Sequence, residues 1–302
     1  MGTADLQAWA EGLDGTTRVA GVIGWPVRHS LSPPMQNAAL AALGLNWVYV
    51  PFAVAPERVR DGMAAIRALD LVGLNVTIPH KAAVLPYMDE LSDEARALGG
   101  VNTVVHHDGR LIGHSTDGAG FLRSLREIGE DVGGREVCLI GAGGSARAVA
   151  LAVCRAGASG LTVVNRTLAK AQCLAAQMSG LCPGVKVAAV GLATPQAEAA
   201  VSNARVVIDS TAVGMYPHHE TEPVVPGQWL HSEQVVCDLT YNPRDTVLLQ
   251  AARRQNAGTL DGTGMLVHQG ALALELWTGE KAPVEVMRAA LLASLARRQA
   301  GA

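Results

Sequence analysis

Apolar and polar positions follow two alternating patterns along this chain of 302 residues. Short apolar runs, such as residues 19–23, 72–78 and 161–165, predict buried strands. Between them lie stretches with an apolar residue every three or four positions, which predict helices. Strand and helix alternate over residues 19–78 and again from residue 136 onward. This order predicts an α/β fold with parallel sheets.

A glycine turn joins one apolar strand to an alanine-rich helix at residues 136–148. Gly141 permits a tight exit from the strand, Gly143 lets a pyrophosphate approach the backbone, and Ala146 is small enough for close helix–sheet packing. Phosphate oxygens would then face the amides at the helix N-terminus. A strand–helix corner without any ligand has the same pattern, so the next strand decides between the two interpretations.

That next strand ends on Asn165 and is followed by Arg166, Thr167 and Lys170. An Asp or Glu at this point would hold a free ribose 2′-hydroxyl and repel a 2′-phosphate, whereas these four side chains can donate hydrogen bonds to one. The sequence therefore predicts a site for NADP rather than NAD.

Several polar residues near strand ends have both a structural and a functional interpretation. Ser32 precedes Pro33 and has the position of a helix N-cap, a role that does not account for Ser30. Asp117 also precedes a helix and could cap it. Gln269 points into an apolar helical stripe, so its amide needs partners, either from a structural network or from a ligand.

Lys81 has an unfavourable position for a surface lysine. It lies in the first turn of a helix predicted to begin at Pro79, where the helix dipole disfavours a cation. Asn75 and Thr77 project from the end of the same strand. A solvated surface charge is the ordinary interpretation of one lysine, but this setting favours a role in chemistry.

Length and composition narrow the class of protein. A chain of 302 residues exceeds one hydrophobic core and predicts two domains. The chain has 49% apolar and 17% charged residues. Because its net charge is −3, nucleic acid or an anionic membrane is not expected as a partner. The five cysteines lack a CxxC pair, so we expect reduced, buried thiols in a cytoplasmic protein without a metal site. Residues 1–17 are expected to form a short helix or an irregular lead-in.

Taken together, the motifs resemble those of the shikimate dehydrogenase family, which interconverts 3-dehydroshikimate and shikimate with NADP. They are Ser30-Leu-Ser32, Asn75-Val-Thr77 with Lys81, Val101-Asn-Thr103, Thr116-Asp117, the glycine turn, Asn165-Arg-Thr167, Asp238-Leu-Thr-Tyr241, and Gly264-Met-Leu with Gln269. The resemblance implies an α/β substrate domain of residues 1–117, completed by helices in residues 263–302. It also implies a Rossmann-type NADP domain of residues 118–262 with a parallel sheet, and an active site in the cleft.

The same resemblance implies a role for each matching residue. Lys81 and Asp117 would form the catalytic pair. The substrate would be bound by Ser30, Ser32, Asn75, Thr77, Lys81, Asn102, Asp117, Tyr241 and Gln269. The cofactor would be bound by Asp93, Gly141, Ala142, Gly143, Gly144, Ser145, Asn165, Arg166, Thr167, Lys170, Leu239 and Gly262. Within that set, Asp93, Leu239 and Gly262 would line the nicotinamide end.

Three positions depart from the family pattern. Gln36 stands where His is common, Ser115 where Asn commonly precedes Thr-Asp, and Asp209 where Asn commonly ends the fifth strand of the cofactor domain. Two alternatives remain open: a broader quinate/shikimate dehydrogenase, usually NAD-dependent, and a catalytically silent NADP-binding paralogue. A monomer or a homodimer is expected.

Overall fold

Apolar runs of the sequence form two six-stranded sheets, one in each of two units. The computed structural model describes residues 12–300. Unit 1 contains Met1–Thr116 and Gly270–Ala302, and unit 2 contains Asp117–Gln269. Residues 1–11 of the predicted lead-in lie outside the described part. The predicted domain boundaries, after residues 117 and 262, fall near those of the units, and the assignment of substrate and cofactor to the domains stays a prediction.

The N-terminal part of unit 1 alternates strands and helices and ends in a hairpin. Its elements before residue 117 are β1 (Arg18–Gly24), α1 (Ser32–Ala42), β2 (Trp47–Ala53), α2 (Val59–Ala68), β3 (Gly73–Val76), β4 (Glu90–Leu91), α3 (Asp93–Leu98), β5 (Thr103–His107) and β6 (Arg110–His114). Two short 3₁₀ helices, Pro56–Arg58 and Leu85–Tyr87, complete this part.

The second unit continues the alternation to the end of its sheet. Its elements are α4 (Asp117–Glu127), β7 (Glu136–Ile140), α5 (Gly144–Arg155), β8 (Gly160–Asn165), α6 (Leu168–Leu181), β9 (Lys186–Gly191), α7 (Pro195–Asn203), β10 (Val206–Asp209), β11 (Val235–Asp238), α8 (Val247–Arg254) and β12 (Gly258–Leu260). The last two helices are α9 (Thr263–Thr278), which continues into unit 1, and α10 (Val284–Ala300).

The sheet of unit 1 is mixed rather than parallel throughout. Its order is β2-β1-β3-β5-β6-β4. Strand β1 pairs in parallel with β2 and β3, as the sequence predicts, but β5 runs antiparallel to both β3 and β6. Asp108 and Gly109, at φ 49° and 75°, form the tight turn between β5 and β6. A two-residue turn with positive φ values is typical of a hairpin, which reverses the chain direction.

The sheet of unit 2 has the Rossmann-type order. The strands follow as β12-β11-β10-β7-β8-β9, and every neighbouring pair is parallel. In such sheets ligands bind beyond the carboxyl ends of the strands, near the point where the order reverses. Strand β7 begins that reversal, and it runs directly into the glycine turn. The α/β fold class with a Rossmann-type unit is therefore confirmed.

Helices cover the sheets with apolar side chains. Beside the unit 2 sheet, Val207 and Val236 belong to a buried cluster with Leu248 and Leu249 of α8. In unit 1 the Trp277 indole packs near Gly73 and donates a hydrogen bond to the Val104 carbonyl at 3.0 Å. Within residues 12–300, we find no helix with the length and apolar character to cross a membrane.

Candidate active site

Ser32 begins a buried hydrogen-bond network in unit 1. The predicted capping role is wrong, because Ser32 is the first residue of α1 and Leu31 occupies the N-cap position. The Ser32 hydroxyl instead bonds the Tyr49 hydroxyl, which donates to Asn75 Oδ1 at 2.7 Å. Burial raises the pKa of Tyr49 well above its usual value, although the hydrogen bond from Ser32 opposes that effect. Tyr49 is therefore a neutral link between two predicted substrate residues.

The network continues from Asn75 to the segment before unit 2. The Asn75 amide donates to the Asn102 carbonyl at 3.3 Å and to Thr103 Oγ1 at 3.1 Å. Asn102 then donates to Thr116 Oγ1 at 2.9 Å and accepts from the Thr116 amide at 2.8 Å. Asn75 and Asn102 are both buried. Buried amides with this many partners have fixed orientations.

The loop that carries Ser30 is fastened to the last helix of unit 1. Ser30 is half-buried, and its hydroxyl accepts a hydrogen bond from the Ser32 amide at 3.2 Å. Arg298 of α10 donates to the carbonyls of His29 and Ser30, at 2.6 Å and 3.2 Å. The structure thus brings Ser30 and Ser32 together.

Lys81 does not lie on a helix, so the helix predicted from Pro79 is wrong. Residues 81–84 form turns, and a 3₁₀ helix follows at Leu85–Tyr87. Contacts with distant residues replace the hydrogen bonds of a helix. The Lys81 carbonyl accepts from the Val101 amide at 2.8 Å, and His80 Nε2 lies 2.7 Å from the Val54 carbonyl. Lys81 therefore lies in a turn after β3, with its side chain half-buried, and no helix dipole disfavours its positive charge.

Two further predicted residues of unit 1 lie in simple settings. Thr77 is half-buried directly after β3, and its amide donates to the Ile23 carbonyl at 2.9 Å. Asp93 is exposed in the first turn of α3, which Ser92 caps by accepting from the Ala95 amide. An acid in the first turn stabilises a helix, so this position has a structural explanation. Asp93 is also the one residue of the predicted cofactor set that belongs to unit 1.

The glycine turn of unit 2 has the geometry of an anion site. Gly141 has φ 108°, and its amide donates to the Val164 carbonyl at 2.8 Å. Gly143 is the N-cap of α5, and none of the described side chains caps this helix. A Cβ added at Gly143 or Gly144 would meet no described atom within 4 Å. The space beside these two glycines is therefore open, and the first-turn amides are not capped by a described side chain, as a phosphate site requires. Ala142 and Ser145 are half-buried in the same turn.

The residues predicted to hold a 2′-phosphate lie at the start of α6. Asn165 ends β8, and its amide donates to the Thr167 carbonyl at 2.9 Å. Arg166, Thr167 and Lys170 are exposed. Neither Arg166 nor Lys170 forms an ion pair with another residue in the described range. Two uncompensated cations beside an amide fit a phosphate group better than a ribose hydroxyl.

Leu239 and Gly262 contact each other at the carboxyl edge of the unit 2 sheet. A Cβ on Gly262 would lie 2.2 Å from the Leu239 carbonyl oxygen, so only glycine fits there. The Gly262 amide donates to the Thr240 carbonyl at 3.0 Å. Tyr241 follows in the same loop and is half-buried.

Asp117 and Gln269 are the other predicted substrate residues of unit 2. Asp117 is buried at the first residue of α4. Gln269 is half-buried on α9 and donates to the Leu266 carbonyl at 2.8 Å, so part of its hydrogen bonding is structural. Gly120 of α4 packs against the Gln269 backbone. The predicted substrate residues are thus divided between the units, since Tyr241, Asp117 and Gln269 belong to unit 2.

The three departures from the family pattern have different environments. Gln36 is fully buried in unit 1 and donates to the Gly270 carbonyl at 2.9 Å, while its Oε1 has no partner among the described residues. Ser115 is half-buried between β6 and α4. Asp209 is buried at the end of β10, the fourth strand of unit 2 rather than the fifth.

Sequence reasoning missed three contributors to this site. Tyr49 gives no signal beyond an aromatic residue in a strand, and Arg298 gives none because its partners lie 269 and 268 residues away. Helix α3 does carry a signal, namely Ser92 followed by two acids and, after the helix, Gly99 at φ 61°. Among the cysteines, Cys138, Cys154 and Cys237 are buried as predicted, whereas Cys173 is exposed.

These features define a class of protein: a Rossmann-type nucleotide-binding unit joined in one chain to a smaller mixed α/β unit. Three family models match in order. They are the "Shikimate dehydrogenase substrate binding domain" over residues 22–104, "Shikimate / quinate 5-dehydrogenase" over 124–254, and "Shikimate 5'-dehydrogenase C-terminal domain" over 262–292.

Similar proteins and structures agree with these matches. The Shikimate dehydrogenase (NADP(+)) of Methanopyrus kandleri is 48% identical over 284 residues, which cover 94% of this chain and 98% of that protein. A crystal structure of a shikimate dehydrogenase in complex with NADP+ has a TM-score of 0.88 and 40% identity, covering 94% and 97% of the two chains. The Listeria monocytogenes shikimate 5-dehydrogenase, in complex with shikimate and NAD, has a TM-score of 0.88 and 36% identity, covering 92% and 98%. The chain belongs to the shikimate dehydrogenase family.

Proposed function

We propose that this chain catalyses reversible hydride transfer between NADPH and 3-dehydroshikimate, which gives shikimate. The observation that carries the proposal is its 48% identity, over 94% of its length, to an NADP-dependent shikimate dehydrogenase. The chain is an oxidoreductase acting on a CH–OH group, and NADP is its cofactor.

The chemistry of unit 2 supports the cofactor. Uncapped amides at the start of α5 provide donors for a pyrophosphate. Arg166 and Lys170 supply positive charge where a 2′-phosphate would bind, and Asn165 introduces no opposing carboxylate. Gly262 and Leu239 would border the nicotinamide end, together with Asp93.

The network in unit 1 supports a polyhydroxylated acid as substrate. Ser30 presents a hydroxyl group that suits a carboxylate, and Tyr241 would add another. Ser32 would supply a third by turning its hydroxyl from Tyr49 to the carboxylate. Asn75, Thr77, Asn102 and Gln269 would bond ring hydroxyls. Since Asn75 and Asn102 are already oriented by their neighbours, a substrate would meet them without further ordering.

When bound, NADPH supplies the hydride for this reaction. The ketone oxygen then gains negative charge, and the Lys81 ammonium would stabilise that charge and donate its proton to the oxygen. Asp117 would pair with Lys81 and orient its amino group. In the direction of shikimate oxidation the unprotonated amine would accept the hydroxyl proton, so the rate would rise with pH.

A spectrophotometric assay tests the proposal. We expect the purified protein to reduce NADP with shikimate faster than with quinate, and to use NAD poorly. Consumption of quinate and NAD at comparable rates would favour the broader quinate/shikimate dehydrogenase. Binding of NADPH without any turnover of 3-dehydroshikimate would identify a silent paralogue.

Lys81→Ala tests the assignment of the proton donor. General acid–base catalysis contributes about 10²–10⁴ in rate, so we expect a loss of that order in kcat, with NADPH affinity retained. The matched control is Lys281→Ala, since Lys281 is an exposed lysine of the same unit. A rate for Lys81→Ala that still rises with pH as in the unchanged protein would remove Lys81 from this role.

A further inference from the structure

Two buried carboxyl groups end neighbouring strands of unit 2. Asp209 of β10 and Asp238 of β11 are register partners in a parallel pair, and each is 1% exposed. Val207 and Val236, two residues earlier, lie in the cluster beneath α8, so side-chain alternation directs both carboxyls to that same face. Adjacent strands are about 4.8 Å apart. The two acids are therefore close neighbours in a dry environment.

Their hydrogen bonds are unequal. Asp238 uses both oxygens, because Oδ1 accepts from the Thr240 amide at 2.8 Å and Oδ2 accepts from the Thr246 hydroxyl at 2.6 Å. Asp209 Oδ1 accepts from the Thr211 amide at 2.8 Å, but Oδ2 has no partner among residues 12–300. A buried carboxylate with an unpaired oxygen is strongly disfavoured. Asp209 is thus the member with an oxygen available for a proton.

Among the described residues, no neighbouring group neutralises the pair. On the same face, β7 contributes Cys138, whose pKa burial raises to about 12, and apolar Ile140. The charged residues of the covering helices α7 and α8 are exposed at the surface: Glu198, Arg253 and Arg254. Asp261 acts on Asp238 as another acid, and its own partner is Arg244 at 2.8 Å.

A metal ion is not the missing positive charge. Within residues 12–300, no group of three or more His, Cys, Asp or Glu side chains has the arrangement of a metal site. Hard cations such as Ca²⁺ and Mg²⁺ need about six or more oxygen ligands or retained waters. A proton is the simplest charge that relieves two adjacent buried carboxyls.

We propose that Asp209 and Asp238 share one proton up to neutral pH, that Asp209 carries it, and that this neutral acid positions the strand ends to which the dinucleotide binds. Burial, followed by the nearby charge of Asp238, raises the pKa of Asp209 to about 7. Burial also raises the pKa of Asp238, but its bonds to Thr246 and Thr240 oppose that shift. Hydrogen bonds from Thr211 oppose the rise at Asp209 in the same way, so the unpaired Oδ2 is what assigns the proton to Asp209.

The backbone around Asp209 connects it to both parts of the proposed cofactor site. Its carbonyl accepts from the Leu239 amide at 2.9 Å. The next residue, Ser210, donates through its hydroxyl to the Ile140 carbonyl at 2.7 Å and fills the space beside Gly141. A second negative charge at Asp209 would repel Asp238 and loosen these contacts. This step rests on the proposed function, because it assigns Gly141 and Leu239 to the cofactor.

The pH dependence has a definite sign. A carboxyl with a raised folded-state pKa contributes most to stability below about pH 4, where both states are protonated. That contribution is lost as the pH rises through about 7, the pKa of folded Asp209. NADPH affinity should fall over the upper part of the same range, because ionisation loosens the strand ends.

Asp209→Asn is the decisive variant, since the amide has the same shape and cannot ionise. We would measure urea unfolding of the cofactor-free protein from about pH 5 to pH 8. The unfolding equilibrium constant of the unchanged protein should increase with pH more steeply than that of the variant. The ratio of the two constants should grow by up to about tenfold per pH unit, as one linked proton requires. Asp131→Asn, at an exposed acid of the same unit, should follow the unchanged protein.

Infrared difference spectra give a direct readout that needs neither cofactor nor activity. At pH 6 the unchanged protein should show the C=O stretch of a neutral carboxylic acid, and Asp209→Asn should lack that band. Asp238→Asn should still show the band in acidic solution. As the pH is raised, the band should disappear at a lower pH than in the unchanged protein, because the repelling charge of Asp238 is gone. In fluorescence titrations, NADPH affinity should fall from pH 6 to pH 8 more steeply for the unchanged protein than for Asp209→Asn. Equal unfolding slopes, or an acid band that persists in Asp209→Asn, would overturn the shared proton; equal NADPH slopes would overturn its effect on the cofactor.

Discussion

Gly120→Ala tests the contact that holds Gln269. An added Cβ would lie 2.7 Å from the Gln269 amide nitrogen and 3.0 Å from its Cα and Cβ. All three atoms are fixed within α9, so no side-chain rotation relieves the overlap, and α4 and α9 must move apart. Overpacking of this kind costs about 1–3 kcal/mol. Replacing a helical glycine by alanine returns about 1 kcal/mol through helix propensity, which leaves a net destabilisation of about 0–2 kcal/mol.

The functional effect should exceed the loss of stability. If Gln269 bonds a ring hydroxyl of the substrate, its displacement weakens that bond in both the ground state and the transition state. We expect kcat/KM for shikimate to fall by about tenfold to a hundredfold, because misplacement by about 1 Å can cost that much. NADPH affinity should change little, since the assigned cofactor residues lie elsewhere in unit 2.

Urea unfolding and steady-state kinetics measure the two effects separately. The matched control is Gly180→Ala in α6, where an added Cβ would meet no described atom within 4 Å. That change should raise stability by up to about 1 kcal/mol and leave the kinetics unchanged. If Gly120→Ala is as stable as this control, the close contact is wrong. If it is destabilised but keeps its kcat/KM, Gln269 does not bind the substrate.

Two further variants test one bond in each unit. Trp277→Phe removes the hydrogen bond from the indole to the Val104 carbonyl, so urea unfolding should show a loss of about 1–3 kcal/mol from the unpaired buried oxygen; an unchanged stability would mean that the bond contributes nothing. Asn165→Asp places a carboxylate where a 2′-phosphate is proposed to bind, so fluorescence titration should show at least about tenfold weaker NADPH binding. NADH binding should be unchanged or tighter, because a carboxylate can hold its ribose 2′-hydroxyl; equal weakening of both would argue against a 2′-phosphate contact.

The nucleotide-binding unit could be predicted because its signals are local. A strand, a glycine turn and a helix occupy consecutive residues, and Gly141 has the positive φ that its position requires. The end of β8 at Asn165 and the start of α6 also follow from neighbouring residues. Nothing distant has to be known for these features, so sequence reasoning succeeds.

The substrate side could be predicted only in part, because distant contacts override local preferences there. Ser32 has the sequence of an N-cap but bonds Tyr49, which lies 17 positions further along the chain by residue number. Pro79 has the sequence of a helix start, yet Lys81 is held by Val101 and its segment remains a turn. Local propensity is a weak prior against such tertiary bonds. The candidate residues were identifiable, but their partners were not.

The polar groups of the proposed site are buried and hydrogen-bonded in unit 1 but exposed or uncapped in unit 2. This difference suits the ligand proposed for each unit. In unit 1, Asn75 and Asn102 are bonded within one buried network that fixes the direction of each amide. A ring with several hydroxyls in defined stereochemistry needs such fixed directions, since a misdirected amide leaves a buried group unpaired. In unit 2, the first turn of α5 is uncapped by any described side chain, and Arg166 is exposed. Phosphate groups accept hydrogen bonds from many directions, so uncapped amides and exposed cations suffice for them.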